Sequence, residues 1–560
     1  MTPFQCLFSR CVLAACVAMP ISSWSQQDSA IPAASAAQPG PRVEAPAGSL
    51  EGLAEGSLHV FKGIPYAAPP VGEARWKPPQ PAPRWSDVRT ATAFGPACAA
   101  PTRQFTTIYS SDIAPFSEDC LTLNVWAPAD AAGAPVYFWV HGGALSHGSS
   151  KESLYDGARL AQRGLVVVSI NYRLGVFGWL AHPQLSAESP LGISGNYGLL
   201  DQIEALRWVQ ANIEAFGGDP DNVTIAGESA GALTVMYLLA APQAHGLFAK
   251  AIAQSAYMVS MPELKESRFG PAAEAIGAGL ATALQTPDLA AMRAMDWQSL
   301  ADGAAAARYF ALGTVDGQVL PRQLVEVFDR GEQAPVPILA GFNSGEIRSL
   351  TVLAPPPPAS AAEYEAAIRE RYLDLADEFL RLYPGSDMQE SVYATARDVL
   401  YGWTSERLVR KQSELGHPSF LYLFDHGYPA AYEAGLHAFH ASELPYTWDN
   451  FERTPPNWPK LPVTEEEARF ADAMAGYWTS FARDGRPTAA GRPDWPAYGS
   501  DRSFMLLGES PQPSKHMFPG MYELHESVVC RRRATDEIPW NWNVGLISPP
   551  LPEVSETPCP

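Results

Sequence analysis

A chain of 560 residues that is 46% hydrophobic and 18% charged can bury a large core, which excludes a disordered or fibrous protein. Its formal net charge of −21 excludes the basic footprint that nucleic acid or an anionic membrane surface needs. No apolar run reaches the ~20 residues of a membrane span, so no transmembrane segment is expected.

The N-terminus reads as an address. Arg10 is the one charge among residues 1–25, an apolar stretch fills 11–24, and Ser23-Trp24-Ser25 is a small-x-small cleavage pattern. A secretory signal peptide cut between Ser25 and Gln26 is therefore expected. Leu13-Ala14-Ala15-Cys16 offers an alternative, a bacterial lipoprotein anchored at Cys16, with only five residues between Arg10 and that cysteine. Residues 26–41 are small, polar and Pro-rich, which predicts a flexible linker. No internal repeat or second such linker follows, so residues 42–560 are expected to form one domain. Cleavage would remove Cys6, Cys11 and Cys16 and leave Cys98, Cys120, Cys530 and Cys559. An even set in an exported chain implies disulfides, and short loops favour Cys98–Cys120 and Cys530–Cys559. With no C-x-x-C and no clustered histidine, no metal site is expected.

Short, apolar, partly β-branched runs at 121–126, 135–141, 165–171 and 223–226 predict strands covered on both faces. Leu199, Ile203, Leu206, Val209 and Ile213 recur at helical spacing between the third and fourth. Thr464 and Glu467 form a capping-box pattern. Phe470, Met474, Trp478 and Phe481 then line one face, and Gly485 marks the stop. Strands alternating with helices predict an α/β protein built on a mostly parallel sheet.

The chemistry is concentrated in residues 223–231. Gly227-Glu228-Ser229-Ala230-Gly231 is a G-x-S-x-G motif with an apolar strand before it and a helical stretch after it. That context predicts a sharp strand-to-helix turn that lifts the Ser229 hydroxyl clear of the sheet. A serine needs a neutral imidazole as base and a buried carboxylate to orient it, in the chain order Ser, acid, His. Glu346 ends a Gly-rich turn after an apolar run, and Asp316 is a second candidate acid. His437 and His440 both offer the base, and spacing does not choose between them. A lightly perturbed imidazole would give a rate rising through pH 6–7. Gly142 and Gly143 close a strand end, where backbone N–H groups can approach an oxyanion together with that of Ala230.

These segments resemble the type-B carboxylesterase family, which includes the cholinesterases and para-nitrobenzyl-esterase-like enzymes. The resemblance rests on FKGIPYAAPP at 61–70, SEDCLTLNV at 117–125, GNYGLLDQ at 195–202 and FGGDPDNV at 216–223, and covers nearly all of the chain after the linker. It implies an α/β-hydrolase fold and hydrolysis of a small-molecule ester without cofactor. It also implies Ser229 as nucleophile, Glu346 as acid, His440 as base, and Gly142, Gly143 and Ala230 as oxyanion hole. Cys98 and Cys120 are similar to the family's first disulfide loop. The acid turn reads Ser-Gly-Glu-Ile where many relatives have Asp-Glu-Gly. Gly142-Gly143-Ala144-Leu145 resembles the GGGX-type loop that implies acceptance of tertiary-alcohol esters. Amide or carbamate hydrolysis on the same groups is the alternative chemistry. A non-catalytic adhesion relative would lack Ser229, which is present.

Overall fold

A computed structural model describes residues 40–102, 106–268, 270–535 and 544–553. The predicted signal peptide and all but the end of the predicted linker lie outside them. Among the described residues, eleven strands make the main sheet. In chain order they are β1 (Leu53–Glu55), β2 (Leu58–Pro65), β3 (Thr122–Pro128), β4 (Ala134–Val140), β5 (Val166–Ile170) and β6 (Gly218–Glu228). Then come β7 (Lys250–Gln254), β8 (Ile338–Asn343), β9 (Ser419–Phe424), β10 (Ser503–Leu507) and β11 (Pro511–Lys515). Their spatial order is β11-β10-β9-β8-β7-β6-β4-β5-β3-β2-β1. From β10 across to β5 every pairing is parallel, and the strands beyond pair antiparallel at both edges.

Strand periodicity divides the core. Val136, Phe138 and Val140 of β4 point to one side, among Leu199, Ile203 and Val209 of α1 (Tyr197–Asn212) and Leu233 of α2 (Ala230–Ala240). Tyr137 and Trp139 point to the other, where Phe470, Met474, Trp478 and Phe481 of α3 (Glu465–Asp484) cover them. Burying a large side chain of this kind contributes about 1.5–3 kcal/mol, so apolar residues at both parities of β4 require helices on both faces.

The capping box forms by half. Thr464 accepts from the Glu467 N–H at 3.2 Å, but the Glu467 carboxylate turns inward to His426 Nε2 at 3.0 Å. Gly485 closes α3 at φ 71°, a conformation that suits glycine. Acidic residues of two sequence motifs serve the scaffold: partly buried Glu118 pairs with buried Arg75 at 2.5 Å, and buried Asp201 with buried Arg173 at 2.7 Å. Cys98 and Cys120 form a disulfide. Cys530 is disulfide-bonded as well, and Cys559 lies outside the described residues.

Candidate active site

The turn at Ser229 is built by three close approaches. β6 ends at Glu228, α2 begins at Ala230, and Ser229 between them sits at φ 57°, ψ −124°, a strained backbone for a residue with a side chain. Its N–H is held by the Gln254 carbonyl of β7 at 2.9 Å. A Cβ on Gly227 would stand 2.5 Å from the Gly231 backbone, and one on Gly231 would stand 2.2 Å from the Val140 carbonyl. Both glycines are thus demanded by contact. The first N–H groups of α2, that of Ala230 included, lack partners within the helix.

β4 delivers the glycine loop to the same place. A Cβ on Gly142 would lie 3.3 Å from Ser229 Cβ. Gly143, Ala144 and Leu145 all have positive φ, at 106°, 55° and 57°. His147 closes this tight loop by donating its N–H to the Gly143 carbonyl at 2.9 Å. The His141 ring stacks on Tyr172 with centroids 4.7 Å apart, and burial pushes its imidazole down to about 4, so it is neutral.

Glu346 follows β8, and the backbone fastens its turn to the loop that carries His440. Gly345 N–H donates to the Ala438 carbonyl at 2.8 Å, and Gly345 pairs with Phe439 as a parallel bridge. A Cβ at Gly345 would meet that carbonyl at 2.8 Å. The Ser-Gly-Glu order of this chain therefore fits its own turn. Fully buried Glu346 accepts from His440 Nδ1, from Ser255 Oγ at 2.6 Å and from the Asn343 N–H at 2.9 Å. Burial opposes a charge on His440, but the carboxylates of Glu228 and Glu346 outweigh it and hold the imidazole up at about 9. That is well above the lightly perturbed value expected from the sequence.

His440 Nε2 lies 3.1 Å from Oε1 of Glu228, the residue before Ser229, in an ion-pair contact without hydrogen-bond alignment. Burial pushes the Glu228 carboxyl up to about 8, against the pull of His440. A third buried carboxylate, Glu443, accepts from Gln254 Nε2 at 3.0 Å and Asn343 Nδ2 at 2.6 Å, and burial raises it to about 6. Tyr109, from the Cys98–Cys120 loop, places its hydroxyl 2.9 Å from the His440 carbonyl oxygen and 2.7 Å from Ser349 Oγ.

Two sequence alternatives fall elsewhere. Asp316 spends its carboxylate on Asn196 Nδ2 at 3.0 Å and on the N–H groups of Gln318 and Val319 at 2.8 and 2.7 Å. His437 is only half-buried and sits edge-on to Tyr432. Sequence reasoning missed Ser255 and Glu443, singled out Tyr109 only as a ring that could face a substrate cation, and passed over Glu228 as the variable position of its own motif. Only the last carried a signal, an acid locked between a strand end and the serine.

This sheet, with a strained serine after a central strand and a buried His-carboxylate pair above it, defines an α/β-hydrolase. A profile of the carboxylesterase family matches residues 39–523. The chain is 37% identical to a fumonisin B1 esterase of Sphingopyxis macrogoltabida over 82% of this chain and 85% of that one. It is 36% identical to a para-nitrobenzyl esterase of Bacillus subtilis over 83% and 94%. A solved para-nitrobenzyl esterase structure superposes with a TM-score of 0.75 at 33% identity, covering 86% of this chain and 99% of that one. The chain belongs to the carboxylesterase family and is a carboxylic ester hydrolase.

Proposed function

We propose an exported serine carboxylesterase that works through an acyl-enzyme. The Ser229 Oγ–H proton passes to His440 Nε2 as Oγ attacks the ester carbonyl carbon. The carbonyl oxygen, now an anion, is received by the N–H groups of Gly142, Gly143 and Ala230; one such donor is typically worth about 2.7–4 kcal/mol. Collapse breaks the bond to the alcohol oxygen, which leaves with the proton from Nε2. Water then attacks the acyl-serine, giving its proton to the same nitrogen, and the carboxylic acid is released as Oγ regains a hydrogen. Glu346 orients His440 and balances its charge throughout.

The observation that carries this reading is the buried Glu346–His440 pair standing over the strained Ser229 turn. Export rests on residues 1–25 as a signal peptide, with the linker at 26–41 and the catalytic domain at 42–560; lipidation at Cys16 is the alternative outcome. Ser229→Ala removes one hydroxyl and should abolish ester turnover while leaving the thermal midpoint in place. Activity within tenfold of the parent would refute the nucleophile. An organophosphate adduct found by mass spectrometry on another residue would do the same.

A further inference from the structure

An aromatic run leads away from His440 that the steps above do not use. The Tyr401 ring packs against the His440 ring with centroids 5.6 Å apart, and Tyr257 meets Tyr401 edge to face at 6.1 Å. Tyr401 is only 3% exposed. Among the described residues neither phenol has a hydrogen-bond partner, yet neither hydroxyl is sealed from accessible space as those of Tyr422 and Tyr446 are. Both lie within the field of the site. After burial, Glu228 acts on the Tyr257 phenol, and Glu346, Tyr257 and Glu228 act on that of Tyr401. Every one of these influences raises the phenols, so both keep their protons and remain donors.

The backbone goes out of its way to put Tyr401 there. Residues Asp398–Gly402 form a π-helical turn between the α-helical segments Met388–Arg397 and Trp403–Glu414. Such a turn is rare and recurs at functional sites, because it turns a side chain out of helical register. Asp398 anchors it, accepting from Arg397 Nε at 2.7 Å and from the Tyr383 hydroxyl at 2.9 Å. Packing alone would be served as well by phenylalanine. A hydroxyl that no group of the chain meets, yet that open space reaches, is free to donate to a bound molecule.

Resting on the serine-esterase reading, we propose that Tyr401 and Tyr257 are specificity-determining residues whose hydroxyls donate to a second, uncharged oxygen of the ester. A ketone, ether or hydroxyl oxygen fits, and the enzyme thereby favours oxygen-rich esters over hydrocarbon esters of the same shape. A carboxylate at that position would meet the Glu346 charge in a buried setting, which disfavours it.

The test uses matched pairs and the full-length protein. Ethyl levulinate is compared with ethyl isocaproate to probe the acyl side, and methoxyethyl butyrate with butyl butyrate to probe the alcohol side. The parent should prefer the oxygenated member of at least one pair in kcat/KM. Tyr401→Phe and Tyr257→Phe keep the rings and should each cut that preference roughly three- to tenfold, the worth of a neutral hydrogen bond. No preference in the parent, or a ratio untouched by both substitutions in both pairs, overturns the proposal. Ester turnover that survives Ser229→Ala would instead remove Ser229 as the nucleophile, the reading on which the proposal rests, and the proposal with it.

Discussion

Glu228 and His440 share one proton problem. For His440 to act as base its Nε2 must be free of a proton, and carboxylates on both sides make that proton hard to lose. With the imidazole raised to about 9, kcat/KM should climb as pH rises toward that value, because the neutral, active form grows only as the proton leaves. Glu228→Gln removes the carboxylate with the larger Coulombic pull on His440, while Glu346 keeps its hydrogen bond to the ring. The rising limb should then move to lower pH by roughly one pH unit, since an opposite charge at this range typically raises an imidazole by that much or more. A profile that keeps its midpoint after the substitution would show that Glu228 is uncharged in the working enzyme. Ser229, Gly142 and Glu346, proposed here for the chemistry, could be singled out because each follows a recognisable strand. Ser255 was not, because a single serine 91 positions from Glu346 carries no local pattern. Residue chemistry and spacing left both Asp316 and Glu346 open as the acid, and the family resemblance implied Glu346; Glu346 hydrogen-bonds His440, whereas Asp316 bonds Asn196 and the Gln318 N–H.

At the scale of elements, the central strands could be read because both of their faces are buried, leaving unbroken apolar runs. The expected strands at 121–126, 135–141 and 165–171 differ from β3, β4 and β5 by two residues or fewer at their ends. Strand β11 reads Pro-Gln-Pro-Ser-Lys and looks like a loop; it is tolerated because the outermost strand of a sheet can spare a donor. The glycine loop after β4 revises an expectation drawn from its sequence. Its likeness to GGGX loops implies room for a tertiary alcohol, which a branched side chain at Gly143 would be expected to crowd selectively. A Cβ there would instead stand 2.3 Å from the His147 carbonyl oxygen, on a backbone at φ 106° that side chains rarely adopt. Gly143→Val should therefore lower turnover of ethyl acetate and tert-butyl acetate alike, by tenfold or more, because it displaces the whole loop. Loss confined to the tert-butyl ester would mean that the loop tolerates the branch and the alcohol does not.

Taken as a whole molecule, the disulfide ties an edge of the fold to the site. Cys98 and Cys120 are 22 positions apart, and closing a loop of that size stabilises by about 3 kcal/mol on the chain-entropy estimate. Spread over the unfolding entropy of a chain this long, that is a thermal midpoint lower by about 3 °C in the Cys98→Ser/Cys120→Ser variant. Turnover should fall further than the midpoint suggests, because Tyr109 lies on the freed loop and bonds the His440 backbone. Unchanged kcat beside a lowered midpoint would confine the disulfide to stability.

That bond from Tyr109 to His440 spans 331 positions, and the Glu346–His440 pair spans 94. Contacts so distant along the chain form late, since the entropy of closing each loop is lost before the contact repays it. The consequence is temporal. A chain still short of its native state can hold much of its helix and have no esterase activity, so turnover of esters begins only once these distant contacts close. On dilution from denaturant, far-ultraviolet circular dichroism should recover well before ester turnover. Recovery of both on one time course would mean that the site assembles along with the first helices.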